Sequence, residues 1–263
     1  MNNANNIEVF KDTLQQIKEK YPIDPKRVKC YSGLCSVEHK APTVPIMMVQ
    51  GGTVSTGYAY ADKMKVAILN FADALVPGGR VTYGSNAQEE NICRCTNLYD
   101  ALDTYEAERD YYAPNRDANK REPGIYTDRL IYAKDVIAFK DDTTYENIVP
   151  RKFDVITCPS PSTEIRPQAA MHIYLNRITQ IILSAIHNKA DCLVLGAWGC
   201  GAFGQDPTVM ASSFAIILND YAGYFKKIIF AIRATPNHTD SSFGTFSYVL
   251  SKTYRGGITY GEE

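Results

Sequence analysis

The sequence predicts an α/β fold in which a largely parallel or mixed sheet carries helices on both faces. Two observations lead to it. Apolar runs of strand length recur at 46–49, 66–69, 153–158, 191–196 and 227–232. Between them lie stretches whose apolar residues follow helical spacing, and that alternation is the pattern of layered α/β domains. A third observation concerns organisation: the 263 residues show no internal repeat and no linker, so residues 1–263 are read as one domain.

Taken in order, residues 6–20 read as a charged amphipathic helix with Ile7, Phe10, Leu14 and Ile17 on one face, stopped by Pro22 and Pro25. Residues 26–45 show no firm period. A short strand at 46–49 precedes Gly51-Gly52, and a buried strand follows at 66–69. After a loop with Pro77-Gly78-Gly79 comes a helix from Gln88, with Ile92, Cys95, Leu98, Tyr99 and Leu102 at helical spacing and a break expected near Ala113-Pro114. Residues 115–124 are polar and read as a surface loop, and 129–139 as a strand or hairpin. The strand at 153–158 ends in Pro159-Ser160-Pro161. A long helix follows over 167–188, with Ala170, Ile173, Ile178, Ile181, Ile182 and Ile186 inward. Asp206-Pro207 is an N-cap followed by proline at the first position, so a helix starts there and reaches about Tyr221. The strand at 227–232 and a last helix over 243–253 complete the reading.

Composition removes several function classes. Lys and Arg number 28 against 29 Asp and Glu, a net charge of −1, and no basic run occurs, so there is no strong nucleic-acid signal. The 7 cysteines form no C-x-x-C pair, and Cys93 and Cys95 point to different helix faces, so no metal site is expected; Cys158 and Cys192 read as core thiols. The polar start Met1-Asn2-Asn3-Ala4 is no signal peptide, and no run approaches membrane-spanning length. A reducing cytoplasm and a monomer are the defaults.

Two stretches carry chemistry. Gly199-Cys200-Gly201-Ala202-Phe203-Gly204 joins a buried strand to a helix N-cap. Glycines let backbone N–H groups turn toward a ligand, and a helix start adds partial positive charge, which together suit a phosphate or diphosphate. The loop lacks the Gly-Lys-Ser/Thr of a Walker loop and the acidic residue of a dinucleotide fingerprint, and a tight strand-to-helix turn without a ligand explains it equally well. The second stretch is Gln88-Glu89-Glu90. Ser85 or Asn86 could cap the helix with Gln88 or Glu89 completing a capping box. Alternatively, adjacent helix positions lie about 100° apart, so one carboxylate can face a reacting bond while its neighbour holds a hydroxyl. Asn70, at the strand end, is a turn former or a neutral amide for sugar hydroxyls. Phe203 is a core residue or packs on a sugar. His39, His172, His187 and His238 lie in unrelated contexts and are read as non-catalytic.

The run LNFADA, then PGG, then AQEE resembles the microbial type of poly(ADP-ribose) glycohydrolase, whose signature is three glycines, six to eight residues and Gln-Glu-Glu. Here Gly78-Gly79-Arg80, seven residues and Gln88-Glu89-Glu90 fit that spacing. VLGAWGCGAFGQDP at 194–207 is similar to the family's diphosphate loop, and VITCPSP at 155–161 to its strand ending in Pro-x-Pro. The resemblance implies a macrodomain-like three-layer α/β/α sandwich, with a core at about 46–235 and a helical extension at about 1–45. It implies binding of ADP-ribose, poly(ADP-ribose) and ADP-ribosylated protein, and hydrolysis of the ribosyl O-glycosidic bond with no cofactor. By motif position Glu90 would be the catalytic acid and Glu89 would hold ribose hydroxyls. Asn70, Gly78 and Gly79 would contact the distal ribose, with Gln88 beside them. Gly199, Cys200, Gly201, Ala202 and Gly204 would wrap the diphosphate, and Phe203 would place the ribose. An acid active near neutrality needs a raised pKa, hence a partly dry site or nearby negative charge.

Two departures stand out: Arg80 replaces the third glycine, and Ser162 the usual Asn after Pro-x-Pro. An arginine there would clash with substrate, reorient the loop or contact a phosphate. A reader that binds ADP-ribose without cutting it, and a metal-using nucleotide-phosphate enzyme built on the 199–204 loop, are the alternatives.

Overall fold

A computed structural model describes residues 3–162, 167–233 and 242–261. Its sheet has eight strands in the order β1-β4-β5-β3-β6-β7-β2-β8. These are β1 (Val28–Tyr31), β2 (Ile46–Val49), β3 (Val66–Phe71), β4 (Leu130–Lys140), β5 (Asn147–Cys158), β6 (Cys192–Leu195), β7 (Lys227–Ala231) and β8 (Ile258–Tyr260). Pairing is parallel from β5 through β3, β6, β7 and β2 to β8, whereas β1, β4 and β5 pair antiparallel. The sheet is therefore mixed, as expected.

β3 shows why its run 66–69 is apolar throughout. Ala67 and Leu69 face a core built with the helices α7 (Pro167–His187), α8 (Pro207–Tyr221) and α9 (Ser242–Thr253). Val66 and Ile68 face a second core built with α1 (Asn3–Lys20), α2 (Thr53–Tyr60), α3 (Gln88–Cys95) and α4 (Leu98–Leu102). A strand buried on both faces has no polar side to present, so it reads as a continuous run. These two cores make the three layers of a macrodomain-like sandwich.

Several elements differ from the sequence reading. The helix from Gln88 ends at Cys95, where Thr96 turns its hydroxyl onto Ile92 O and the chain turns before α4 begins at Leu98. Residues expected as a surface loop form α6 (Ala113–Arg121), which follows the short helix α5 (Tyr105–Ala107) and a π turn at Glu108–Tyr112. Pro114 lies two residues past the π turn, where the helical backbone runs on into α6 without a break. The buried stripe of α1 is Asn6, Phe10, Thr13 and Ile17, and Leu14 stays exposed. Two polar residues entered that stripe because each finds a partner: Asn6 Nδ2 donates to Gly84 O at 2.9 Å and Thr13 Oγ1 to Arg94 O at 2.6 Å. Strands β1 and β8 and helix α2 carry no period the sequence reading recognised. The helix start at Asp206 is as read, with its carboxylate accepting from Thr208 N. Cys158 and Cys192 are buried. Among the described residues, no helix is long and apolar enough to cross a membrane.

Candidate active site

Parallel strands end together on one side, and the loops leaving β3, β5 and β6 gather there, the usual place for a ligand in such sheets. β3 and β6 pair as far as Ile68 and Val194. Beyond that point Gln88 stands in for the departed strand: its Oε1 accepts from Phe71 N at 2.8 Å and its Nε2 donates to Leu69 O at 2.7 Å and Thr53 Oγ1 at 3.1 Å. The amide of Gln88 bonds the strand end and α2, which fixes where α3 starts.

Both carboxylates are buried but differently occupied. Glu89 Oε1 accepts from Asn70 Nδ2 at 3.1 Å and its Oε2 from Asp73 N at 2.7 Å. Burial pushes its carboxyl well above the ordinary value, against those two hydrogen bonds, and the Asp73 and Glu90 charges push it further. Glu90 Oε1 accepts from Arg80 N at 3.0 Å. Its Oε2 takes no partner among the described residues, yet it is absent from the sealed, unsatisfied polar atoms, so it borders open space. The helix N-cap is Ala87, with no side-chain cap bond. A capping box therefore does not account for Gln88 and Glu89, whose side chains run to β3 and to the loop after it.

The glycine loop after β3 is shaped around these groups. Gly79 has φ +59°, and a Cβ there would lie 2.7 Å from Glu90 Oε1 and 3.3 Å from Glu89 Oε2. Only glycine supplies both that conformation and that clearance. Gly78 backs onto the Tyr99 ring. Arg80 has φ −104°, which any residue adopts, and its side chain is exposed. Glu90 takes its backbone N–H, and a φ of −104° puts no left-handed strain on this arginine.

Asn70 is fully buried, its Nδ2 shared between Glu89 and Thr157 Oγ1 at 3.2 Å and its Oδ1 without a partner among the described residues. It lies beneath Glu89 on the strand face that carries Val66 and Ile68.

The loop 199–204 forms a second wall. Gly199, at φ +80°, sits so close to Ser160 that a Cβ would meet its Oγ at 2.4 Å, which packs the end of β5 against this loop. Gln205 clamps the same junction, donating to Pro161 O at 2.6 Å and accepting from Tyr174 OH. Trp198 Nε1 donates to Cys158 O at 3.0 Å. Within the turn, Gly204 N bonds Gly201 O and Gln205 N bonds Gly199 O, both at 2.9 Å. The N–H groups of Gly199, Gly201, Ala202 and Phe203 take no partner among the described residues. Cys200 turns its thiol onto Trp198 O, and burial pushes that thiol up to about 12. Phe203 lies 6.4 Å from the Tyr126 ring, tilted at 48°. The N–H groups left without a partner among the described residues lie at a strand-to-helix turn, a place where backbone N–H groups are suited to an anion.

Four supporting residues were not singled out from the sequence: Asp73, Arg94, Thr157 and Gln205. Arg94 is fully buried and donates to Ser85 O at 2.6 Å, Asn86 Oδ1 at 2.9 Å and Tyr145 OH at 3.1 Å, fastening the loop that leads into α3. An arginine in the last turn of an amphipathic helix reads as solvent-facing, so no sequence signal marked it. Asp73 was legible as an Asx turn, since its Oδ1 accepts from Leu75 N and Val76 N ahead of Pro77. Of the histidines, His39 packs on Tyr221 and His187 meets Cys35 O, whereas His172 lines a pocket together with Tyr126, the neighbour of Phe203; His238 lies outside the described residues.

A mixed sheet in a three-layer sandwich, with two adjacent carboxylates and a glycine loop at its strand ends, is a macrodomain-like architecture. The chain is similar to the poly(ADP-ribose) glycohydrolase of Thermomonospora curvata, with 26% identity, a TM-score of 0.81 and coverage of 94% of this chain and 99% of that one. It is also similar to the poly(ADP-ribose) glycohydrolase of Deinococcus radiodurans in complex with ADP-ribose, with 32% identity, a TM-score of 0.72 and coverage of 80% and 85%. No curated protein matches. The family model for the catalytic domain of microbial-type PARG, poly(ADP-ribose) glycohydrolase, matches residues 8–141, which include both glutamates but not the 199–204 loop. The chain belongs to that family.

Proposed function

We propose that this enzyme hydrolyses the ribosyl O-glycosidic bond of poly(ADP-ribose) or protein-linked ADP-ribose with Glu90 as the group that handles the proton. The observation that supports Glu90 over Glu89 is occupancy. Glu89 has both oxygens held by Asn70 and Asp73, whereas Glu90 keeps one oxygen toward open space. In this reading Glu90 donates its proton to the leaving oxygen as the C1″–O bond breaks. As carboxylate it then takes a proton from the water that attacks C1″, through an oxocarbenium-like state. Help of this kind is worth about 10²–10⁴-fold.

Glu89, already tied to β3 and to the loop after it, acts as the buttress that keeps α3 and the glycine loop in register. Each of its oxygens retains a lone pair for a ribose hydroxyl. The free N–H groups of Gly199, Gly201, Ala202 and Phe203 take the diphosphate, which leaves Phe203 beside the ribose. Asn70 and Gln88 support the site from below, and Gly78 and Gly79 give the sugar close access to the backbone.

A rate assay on ADP-ribosylated protein and on polymer, beside an ADP-ribose titration, tests this. Gln matches Glu in size but cannot give a proton as an acid and recover it. Glu90→Gln is expected to abolish hydrolysis with ADP-ribose affinity within a few-fold. Near wild-type turnover in that variant would refute the assignment, and a wild type that binds ADP-ribose but cuts neither substrate would leave a reader instead.

A further inference from the structure

Tyr145 stands where a turn calls for glycine or asparagine. It closes the loop between β4 and β5, in which Asp141 Oδ1 accepts from Thr143 N at 2.9 Å and Thr144 N at 2.7 Å, and Tyr145 N donates to Asp141 O at 3.0 Å. Its φ is +62°, a left-handed conformation in which a bulky side chain is strained. Strain of this kind collects where the surrounding structure holds a group in place. The group held here is the hydroxyl. Tyr145 OH accepts from Asn91 Nδ2 at 2.9 Å and from Arg94 Nε at 3.1 Å, and it donates to Asn86 Oδ1 at 3.5 Å. Both lone pairs and the proton are thereby used. The Arg94 guanidinium also stands over the ring, its Cζ 5.4 Å from the centroid.

These three partners bracket the start of α3. Asn86 lies just ahead of the helix, Asn91 directly follows Glu90, and Arg94 is the neighbour of Asn91 on the next turn. The helix has no side-chain cap to set its start. Gln88 joins it to β3 and α2, and a helix held at one point can still turn about its axis. Adjacent positions lie about 100° apart around that axis, so a rotation of α3 swings the Glu90 carboxylate away from the Arg80 N–H. Tyr145 supplies a second anchor from another part of the sheet. Arg94 is fully buried, and its acceptors are Ser85 O, Asn86 Oδ1 and Tyr145 OH. Loss of the hydroxyl leaves Nε without its acceptor in a dry place, which the helix can relieve only by shifting. We propose that Tyr145 is a positioning residue for the hydrolysis: its hydroxyl sets the rotation of α3 and with it the direction of the Glu90 carboxylate. The proposal rests on Glu90 handling the proton.

Two variants test it, with kcat on ADP-ribosylated protein, ADP-ribose affinity by calorimetry and melting temperature measured for each. Tyr145→Phe keeps the ring and the backbone and removes only the hydroxyl. Tyr145→Asn suits the left-handed conformation and removes both ring and hydroxyl. In both, kcat is expected to fall by about tenfold, short of the ~10²-fold of a full 1 Å misplacement. Affinity for ADP-ribose should hold, because no bond of Tyr145 reaches the 199–204 loop. A residue that only shapes the turn would leave Tyr145→Asn at wild-type kcat, and that result overturns the proposal. An affinity loss equal to the loss of kcat also overturns it, by making Tyr145 a general support of the fold. Failure of the reading of Glu90 is separate: it shows as turnover retained in Glu90→Gln, whatever the Tyr145 variants do.

Discussion

Arg80 and Glu90 are joined backbone to side chain: the Arg80 N–H donates to Glu90 Oε1 at 3.0 Å, ten residues along the chain. That bond sets no requirement on the side chain at position 80, whereas the position before it is constrained by Glu90. Gly79→Ala places a methyl group 2.7 Å from the same oxygen and forces a left-handed conformation on a residue with a Cβ. The conformational strain is about 1–2 kcal/mol. The displaced carboxylate matters more, since a misplacement near 1 Å costs on the order of 100-fold in rate. Gly79→Ala is expected to lower kcat by about that factor with only a modest drop in melting temperature. Wild-type kcat would show that the loop yields without moving Glu90.

The proposed diphosphate loop makes a separate prediction. Gly201 is exposed, and a Cβ built there meets nothing within 4 Å. Gly201→Asp should therefore fold normally by circular dichroism while placing a like charge among the free N–H groups. ADP-ribose affinity measured by calorimetry should fall at least about tenfold, the equivalent of 1.4 kcal/mol, and Gly201→Asn should lose less. Unchanged affinity in the Asp variant would move the diphosphate elsewhere.

Glu89 links the site to stability. Its folded pKa is raised by burial, so above the ordinary carboxylate value near 4.5 the folded protein holds a proton that the unfolded chain releases. Stability from this group is then lost as pH rises, by up to about 1.4 kcal/mol per pH unit until the folded group itself ionises. Glu89→Gln removes that penalty. Denaturant titrations of wild type and Glu89→Gln should diverge in favour of the variant as pH is raised from about 5 to 8. Parallel curves across that range would mean that Glu89 ionises without cost.

The sequence by itself determined the layered fold and the two stretches that make the site. Runs such as 66–69, buried on both faces, and the N-cap and proline at Asp206-Pro207 are local signals, set by hydrophobic pattern and backbone chemistry. The glycine loops and the Gln88-Glu89-Glu90 run were equally visible because turns and helix starts have composition of their own. The tertiary structure decided what those residues do. Only the end of β3–β6 pairing gives Gln88 a strand to complete, and only the loop at Asp73 and the amide of Asn70 occupy Glu89 and leave Glu90 open. The buried Arg94 and the Asn6 and Thr13 stripe of α1 followed no apolar period, because their burial depends on acceptors far away in the chain. Hydrogen-bond partners across long sequence distances exist only once the layers have packed, and a one-dimensional pattern does not encode which partner will be there.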